Sequence, residues 1–241
     1  MKSIFRKSIG TLKSIKAYFF EFIMLFLAIT LGFFVENQRD NINEREQEVR
    51  LMKTLCEDLK TDIKRIDIIM DLRNERVRKN DSLILLLLSP QPMQYSKRIH
   101  DYALASTSKG TLFYKSNTMQ FLTNEGFYKI SSKLVSDETR EYNLKMEDLI
   151  YAQEGAIRIT SQLNQSIYRL LDAKAQFNYD KGDTQSEFRL FTTDPQFLNE
   201  ICNNLRHVNG NIKAQIKLEE QLKNQATRLL QTVSAEYGID H

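Results

Sequence analysis

Hydrophobic and polar positions divide this chain into one unbroken apolar run and a series of periodic stripes. The run is Tyr18 to Val35, interrupted only by Glu21 and Thr30. As a helix, its eighteen residues span ~27 Å at ~1.5 Å each, about one hydrocarbon core. A core helix of that length would keep a polar face, and this run has none. A second greasy stretch, Leu83 to Leu88, is far too short to span and stops at Ser89-Pro90.

Beyond Val35 the chain turns charged and apolar residues recur at helical spacing. Met52, Cys56, Leu59, Ile63, Ile66 and Met70 step by four and three, a stripe that predicts a helix reaching toward Leu88, ended by Pro90 and Pro92. Residues 95–105 read as a helix and 106–110 as a loop. Residues 118–125 read as a short helix, with Gly126 where a left-handed cap is needed. Residues 127–135 read as another short helix, and Ser136 or Asp137 as the cap of the next. That next helix is long. Tyr142, Met146, Leu149, Gln153, Ala156, Thr160, Leu163, Ile167, Leu170, Lys174 and Phe177 keep one heptad step, until residues 178–183 break it. Asp194-Pro195 opens the last helical stretch, with proline in the first turn. Its stripe is Leu198, Ile201, Leu205, Val208, Ile212, Leu222, Ala226, Leu229 and Val233, and Gly210 is the place where it could bend. Three long amphipathic helices bury their stripes by packing as an antiparallel bundle. The expected fold is mainly α: one N-terminal transmembrane helix followed by an elongated extracytoplasmic helical bundle.

Composition agrees with long helices. Of 241 residues only 8 are Gly and 3 are Pro, too few for the turns of an all-β protein. The net charge of +3 gives no reason to expect nucleic-acid binding. The two cysteines, Cys56 and Cys202, lie on apolar helical faces and read as small buried residues. A disulfide between them stays open if the compartment is oxidising.

Charge orients the span. Residues 1–16 carry Lys2, Arg6, Lys7, Lys13 and Lys16 and no acid, which places the N-terminus in the cytoplasm. Residues 1–16 are thus expected as a basic cytoplasmic segment, 17–35 as an uncleaved signal anchor and 36–241 as a periplasmic domain of the bacterial inner membrane. No small-x-small cleavage site follows the apolar run, which ends Phe33-Phe34-Val35-Glu36. Ile4, Phe5, Ile9, Leu12 and Ile15 share one side of the basic segment, so it could lie flat on the inner leaflet. Glu21 is costly inside a span, yet it sits about one turn from Tyr18 and can snorkel to the headgroups. Packing or partner contact is preferred for it over proton handling. Ala28 and Gly32 form a small-xxx-small pattern that admits a neighbouring helix, with Thr30 between them.

Candidate chemistry is sparse. No HExxH, GxSxG, GxxxxGK or GxGxxG motif occurs, and the histidines are His100, His207 and His241. Cys202 and His207 are five apart on a helix, about 140° around it, which is poor geometry for one metal ion. Residues 178–183 lack the spacing of a calcium loop, whose twelfth position here is Arg189. Adjacent acids such as Glu57-Asp58, Glu147-Asp148 and Glu219-Glu220 read as solvated faces. No catalytic residue, cofactor or metal is expected.

Several stretches together resemble a known family. The basic start Phe5-Arg6-Lys7 leads to Glu21, then Leu27-Ala28-Ile29, and the span exits into Glu36-Asn37-x-Arg39. Leu55-x-x-Asp58-Leu59-x-x-Asp62-Ile63 follows, then Phe121-Leu122-x-x-x-Gly126 ahead of Ile130, Leu134 and Tyr142. The chain resembles an uncharacterised family of single-span, membrane-anchored proteins of Gram-negative bacteria, closest over residues 1–65. The Trp-containing end of that family's span is missing here. The resemblance implies a membrane location and brings no catalytic residues.

Three functions compete. The first is an interaction or scaffold role as an accessory subunit of a cell-envelope complex, with the lipid bilayer and other membrane proteins, or further copies of itself, as partners. The second is a periplasmic ligand-sensing bundle that signals through a partner. The third is coupling to the proton gradient through Glu21.

Overall fold

The computed structural model describes residues 3–107, 115–183 and 187–239, with side chains from Tyr18 onward. The described residues are mainly helical and contain no strand. The chain divides into two compact units, Met1–Leu51 and Met52–His241.

The first unit holds the start of α1, assigned over Ser3–Leu87. Its most apolar window has a mean hydropathy of 2.2, and no residue in that window is buried. Phe19, Phe20, Phe22, Leu25, Phe33 and Phe34 are all exposed. This is one helix long and apolar enough to cross a membrane. The basic residues Lys2, Arg6, Lys7, Lys13 and Lys16, and the apolar side chains interleaved with them, lie outside the described side chains.

In the second unit α1 stops at Leu87, close to the expected position, because Pro90 and Pro92 cannot continue it. Pro92–Tyr95 forms a 3₁₀ turn and α2 runs over Ser96–Thr107. Ser106 and Thr107, expected in a loop, are helical, with hydroxyls that donate back to the carbonyls of Ala103 and Leu104. α3 covers Asn117–Glu125, where the Ser116 side chain accepts from the Met119 N–H.

Gly126 ends α3 with φ +92° and ψ 143°, a positive φ but not the left-handed helical cap expected from the sequence. The positive φ calls for glycine, and a Cβ here would also displace the exposed Tyr128 ring, which it would meet at 2.6 Å. The short helix expected after it is only a 3₁₀ turn, Phe127–Lys129, followed by extended Ile130.

α4 begins earlier than expected, at Lys133, and extends to Leu170. Ser132 is its cap, accepting from the Val135 N–H, while Ser136 sits inside the first turn and donates to the Phe127 carbonyl. The heptad read through Phe177 is cut at Leu171 and Asp172, and a separate helix α5 covers Ala173–Asp180. Lys174 and Phe177 accordingly face solvent. α6 spans Pro195–Tyr237, capped by Asp194, and passes Gly210 without interruption. It ends on left-handed Gly238.

Contacts inside the second unit order these helices. Lys223 meets Asp67 at 2.6 Å, Glu219 meets Arg73 at 2.7 Å and Asn209 meets Asn80 at 2.7 Å, so α6 runs opposite to α1. Arg228 meets Glu138 at 2.9 Å and Glu200 meets Ser166 at 3.3 Å, so α6 also opposes α4. Tyr142 contacts Asp62, and Gln153 lies beside Arg73 farther along, so α1 and α4 run in the same direction instead of alternating. The chain returns between them through α2 and α3. Arg76 donates to the Ser106 carbonyl at 2.6 Å and Lys115 reaches Glu147 at 2.7 Å. Leu83, Leu87, Ile99, Leu163, Ile167 and Leu205 join one apolar cluster.

Both cysteines are buried and free, so the disulfide left open by the sequence is absent. Cys56 lies against Ser234, whereas Cys202 belongs to the cluster around Leu83 and Leu87. Residues 202 and 234 on one helix are ~48 Å apart at ~1.5 Å per residue, and a disulfide needs Cα atoms within about 7 Å.

Denatured full-length protein should therefore titrate two thiols without prior reduction, and a count of zero would contradict this placement. Gly126→Ala should destabilise the chain by about 1–3 kcal/mol, read as a lower midpoint in urea. An unchanged midpoint would mean that the backbone relaxes freely there.

Candidate functional site

Of the four span residues singled out by the sequence, three share a side of α1. At 100° per residue Glu21, Ala28 and Gly32 fall within about 40° of one another, with Thr30 on the far side. Thr30 does not join them: its hydroxyl donates to the Phe26 carbonyl of its own helix at 2.8 Å. A Cβ on Gly32 would have nothing within 4 Å. Glu21 and Ala28 border a shallow apolar surface with Tyr18, Phe22, Met24 and Leu25.

The second unit holds what the apolar stripes did not reveal. Its buried α1 positions continue from Leu59 through Asp62, Ile66, Ile69, Arg73 and Asn80 to Leu83 and Leu87. α6 fills the gap between Ile212 and Leu222 with buried Gln215 and Glu219. α4 contributes buried Tyr142, Gln153 and Thr160. The middle of the helical core is therefore polar. Only the three-four step, extended regardless of residue type, would have located it: 59, 62, 66, 69, 73.

Three groups of contacts make up this interior. In the first, the Tyr142 hydroxyl donates to Asp62 Oδ2 at 2.8 Å. Burial pushes the Asp62 carboxyl up to about 6, the Tyr142 bond holding it back and Asp58 adding to the rise. Burial, and next to it Asp62, raises the Tyr142 hydroxyl. In the second, Arg73 Nε donates to Glu219 Oε1 at 2.7 Å, with both side chains almost wholly buried. Burial raises the Glu219 carboxyl and the Arg73 charge opposes it. In the third, Asn80 Nδ2 donates to Asn209 Oδ1, and Asn209 Nδ2 to Asp81 Oδ1, each at 2.7 Å.

His100 is a further buried polar residue, and its contact lies where α4 stops. Its Nε2 accepts the backbone N–H of Asp172 at 3.1 Å. The Asp172 carboxylate caps α5 by accepting from Lys174 and Ala175, and Phe191 N–H donates to the Leu170 carbonyl. The break thus leaves its backbone groups satisfied. Burial lowers the His100 pKa, with the Arg189 backbone the first opposing influence. Phe188 packs edge-on against the ring at 4.5 Å.

Among the described residues, no three His, Cys, Asp or Glu side chains come together as a metal site. Compared with known proteins, the chain matches no family model, no curated protein and no solved structure.

Asp62 generates a signed prediction. Its folded pKa is raised from 3.8 to about 6. Protonation therefore contributes stability that is fully present below pH 3.8 and lost as pH rises through about 6. The wild type should lose on the order of 1–3 kcal/mol between pH 4 and 7 relative to Asp62→Asn, which cannot ionise there. Parallel stability curves for the two proteins would show that Asp62 does not titrate in this way.

Proposed function

We propose that this chain is a membrane-anchored interaction protein, an accessory subunit of a cell-envelope membrane complex. The observation that carries the reading is the helix segment Tyr18–Val35. Its large apolar side chains are exposed, and among the described residues none of its most apolar window is buried. An uncovered apolar surface of this size marks a membrane or partner contact, and the length suits a hydrocarbon core.

Charge supports the orientation. Five basic residues and no acid precede the segment, so the N-terminus is cytoplasmic and residues 36–241 lie on the periplasmic side of the inner membrane. On that side the chain forms an elongated helical bundle. The resemblance of residues 1–65 to single-span proteins of Gram-negative bacteria agrees with this location. Glu21, Ala28 and Gly32 on one face of the span suit close approach by a second helix, from another membrane protein or another copy.

The test is purification of the tagged full-length protein in several mild detergents, with mass spectrometry of what accompanies it. A stoichiometric membrane partner is expected, reduced by Gly32→Leu. Recovery of the chain alone in every detergent would overturn the proposal.

A further inference from the structure

We infer that the space between α1, α4 and α6 beside Arg73 and Arg76 binds one small monovalent anion, of the size of a halide or formate. The inference goes beyond the membrane reading and does not depend on it.

The site is built from the polar interior. Arg73, Arg76, Gln153, Thr160, Asn211 and Gln215 border it, with Val208 and Ile212 among its apolar walls. Gln153 and Gln215 are buried, as is Arg73. Two guanidinium groups and several amides thus meet in a largely enclosed recess, a donor-rich lining of the kind that holds a carboxylate or halide.

The charge balance favours an anion over water alone. Glu219 neutralises Arg73 through their 2.7 Å contact. Arg76 forms no ion pair among the described residues: its Nη2 donates to the neutral Ser106 carbonyl. Its Nε is buried and finds no acceptor among the described residues. Segment 108–114, which follows α2, reads Ser-Lys-Gly-Thr-Leu-Phe-Tyr and contains no acid. Burial, and next to it the neighbouring Arg73 charge, lowers Arg76 to about 10, so it still carries its proton at neutral pH. Arg76 is half-buried, so among the described residues the recess carries one positive charge that is partly stripped of water and has no counter-charge, which is costly. Water could satisfy Nε but would leave that charge in place.

Size limits the ligand. The centre of a water-sized body has ≈ 20 Å³ in which to move, room on the scale of one or two waters. A chloride or a formate fits this space, whereas gluconate does not.

The test uses the full-length protein in neutral detergent. Thermal unfolding is followed at fixed ionic strength while sodium gluconate is exchanged for sodium chloride or sodium formate. The midpoint should rise with chloride or formate concentration, and Arg76→Gln should remove that rise, whereas Arg158→Gln on the exposed face of α4 should leave it intact. The more stabilising anion identifies the natural class, halide or carboxylate. Chloride-35 line broadening on the wild-type protein supplies a reading that no variant can spoil by misfolding. Excess broadening displaced by formate, but not by gluconate, is expected. Equal midpoints in all three salts together with no displaceable broadening would overturn the inference and leave a water-filled recess.

Discussion

The Arg73 guanidinium and the Glu219 carboxylate leave water together, 2.7 Å apart, in the middle of the helical core. Neither is tolerable there without the other, because a buried charge stripped of its partner costs several kcal/mol. Apolar stripes alone would let α6 slide against α1, since one leucine fills a gap much as another does. A slip of one turn, about 5.4 Å, would separate this pair and also part Asn80 from Asn209. The polar interior thus fixes the register of helices that the apolar residues merely hold together.

That arrangement leaves charges balanced at one level and unbalanced at the next. Arg73 has its carboxylate, while Arg76, one turn farther along α1, has a backbone carbonyl. Burial disfavours the charged form of both carboxyls, but Asp62 has only a neutral tyrosine hydroxyl beside it, whereas the Arg73 charge opposes the effect at Glu219. Burying ionisable groups weakens a core that leucines would stabilise more simply. The first unit has the opposite character: among its described residues the most apolar window has no buried side chain.

The elements were largely legible in the sequence wherever local chemistry set them. Pro90 and Pro92 ended α1, and Asp194-Pro195 began α6. The largest misreading fell where distant residues decide. α4 stops at Leu170 because His100, seventy-two positions earlier, takes the Asp172 N–H and the Phe191 N–H takes the Leu170 carbonyl. The heptad pattern, blind to that contact, ran on through Lys174 and Phe177. Gly126 was recognised as a special position, but it takes φ +92° with ψ 143° in place of a left-handed cap. The candidate residues of the span were visible as sequence, but the helix separates Thr30 from Glu21, Ala28 and Gly32.

By itself the sequence determined the helical class, the apolar segment at Tyr18–Val35 and most helix ends, because hydropathy, periodicity and proline act over a few residues. The tertiary structure alone decided that α1 and α4 run the same way, that Cys56 and Cys202 lie far apart, and that Asp62, Arg73, Arg76 and Glu219 are interior. A charged residue carries no local mark of burial. Its place depends on which side chain another helix brings opposite it, and that is settled only when the helices pack.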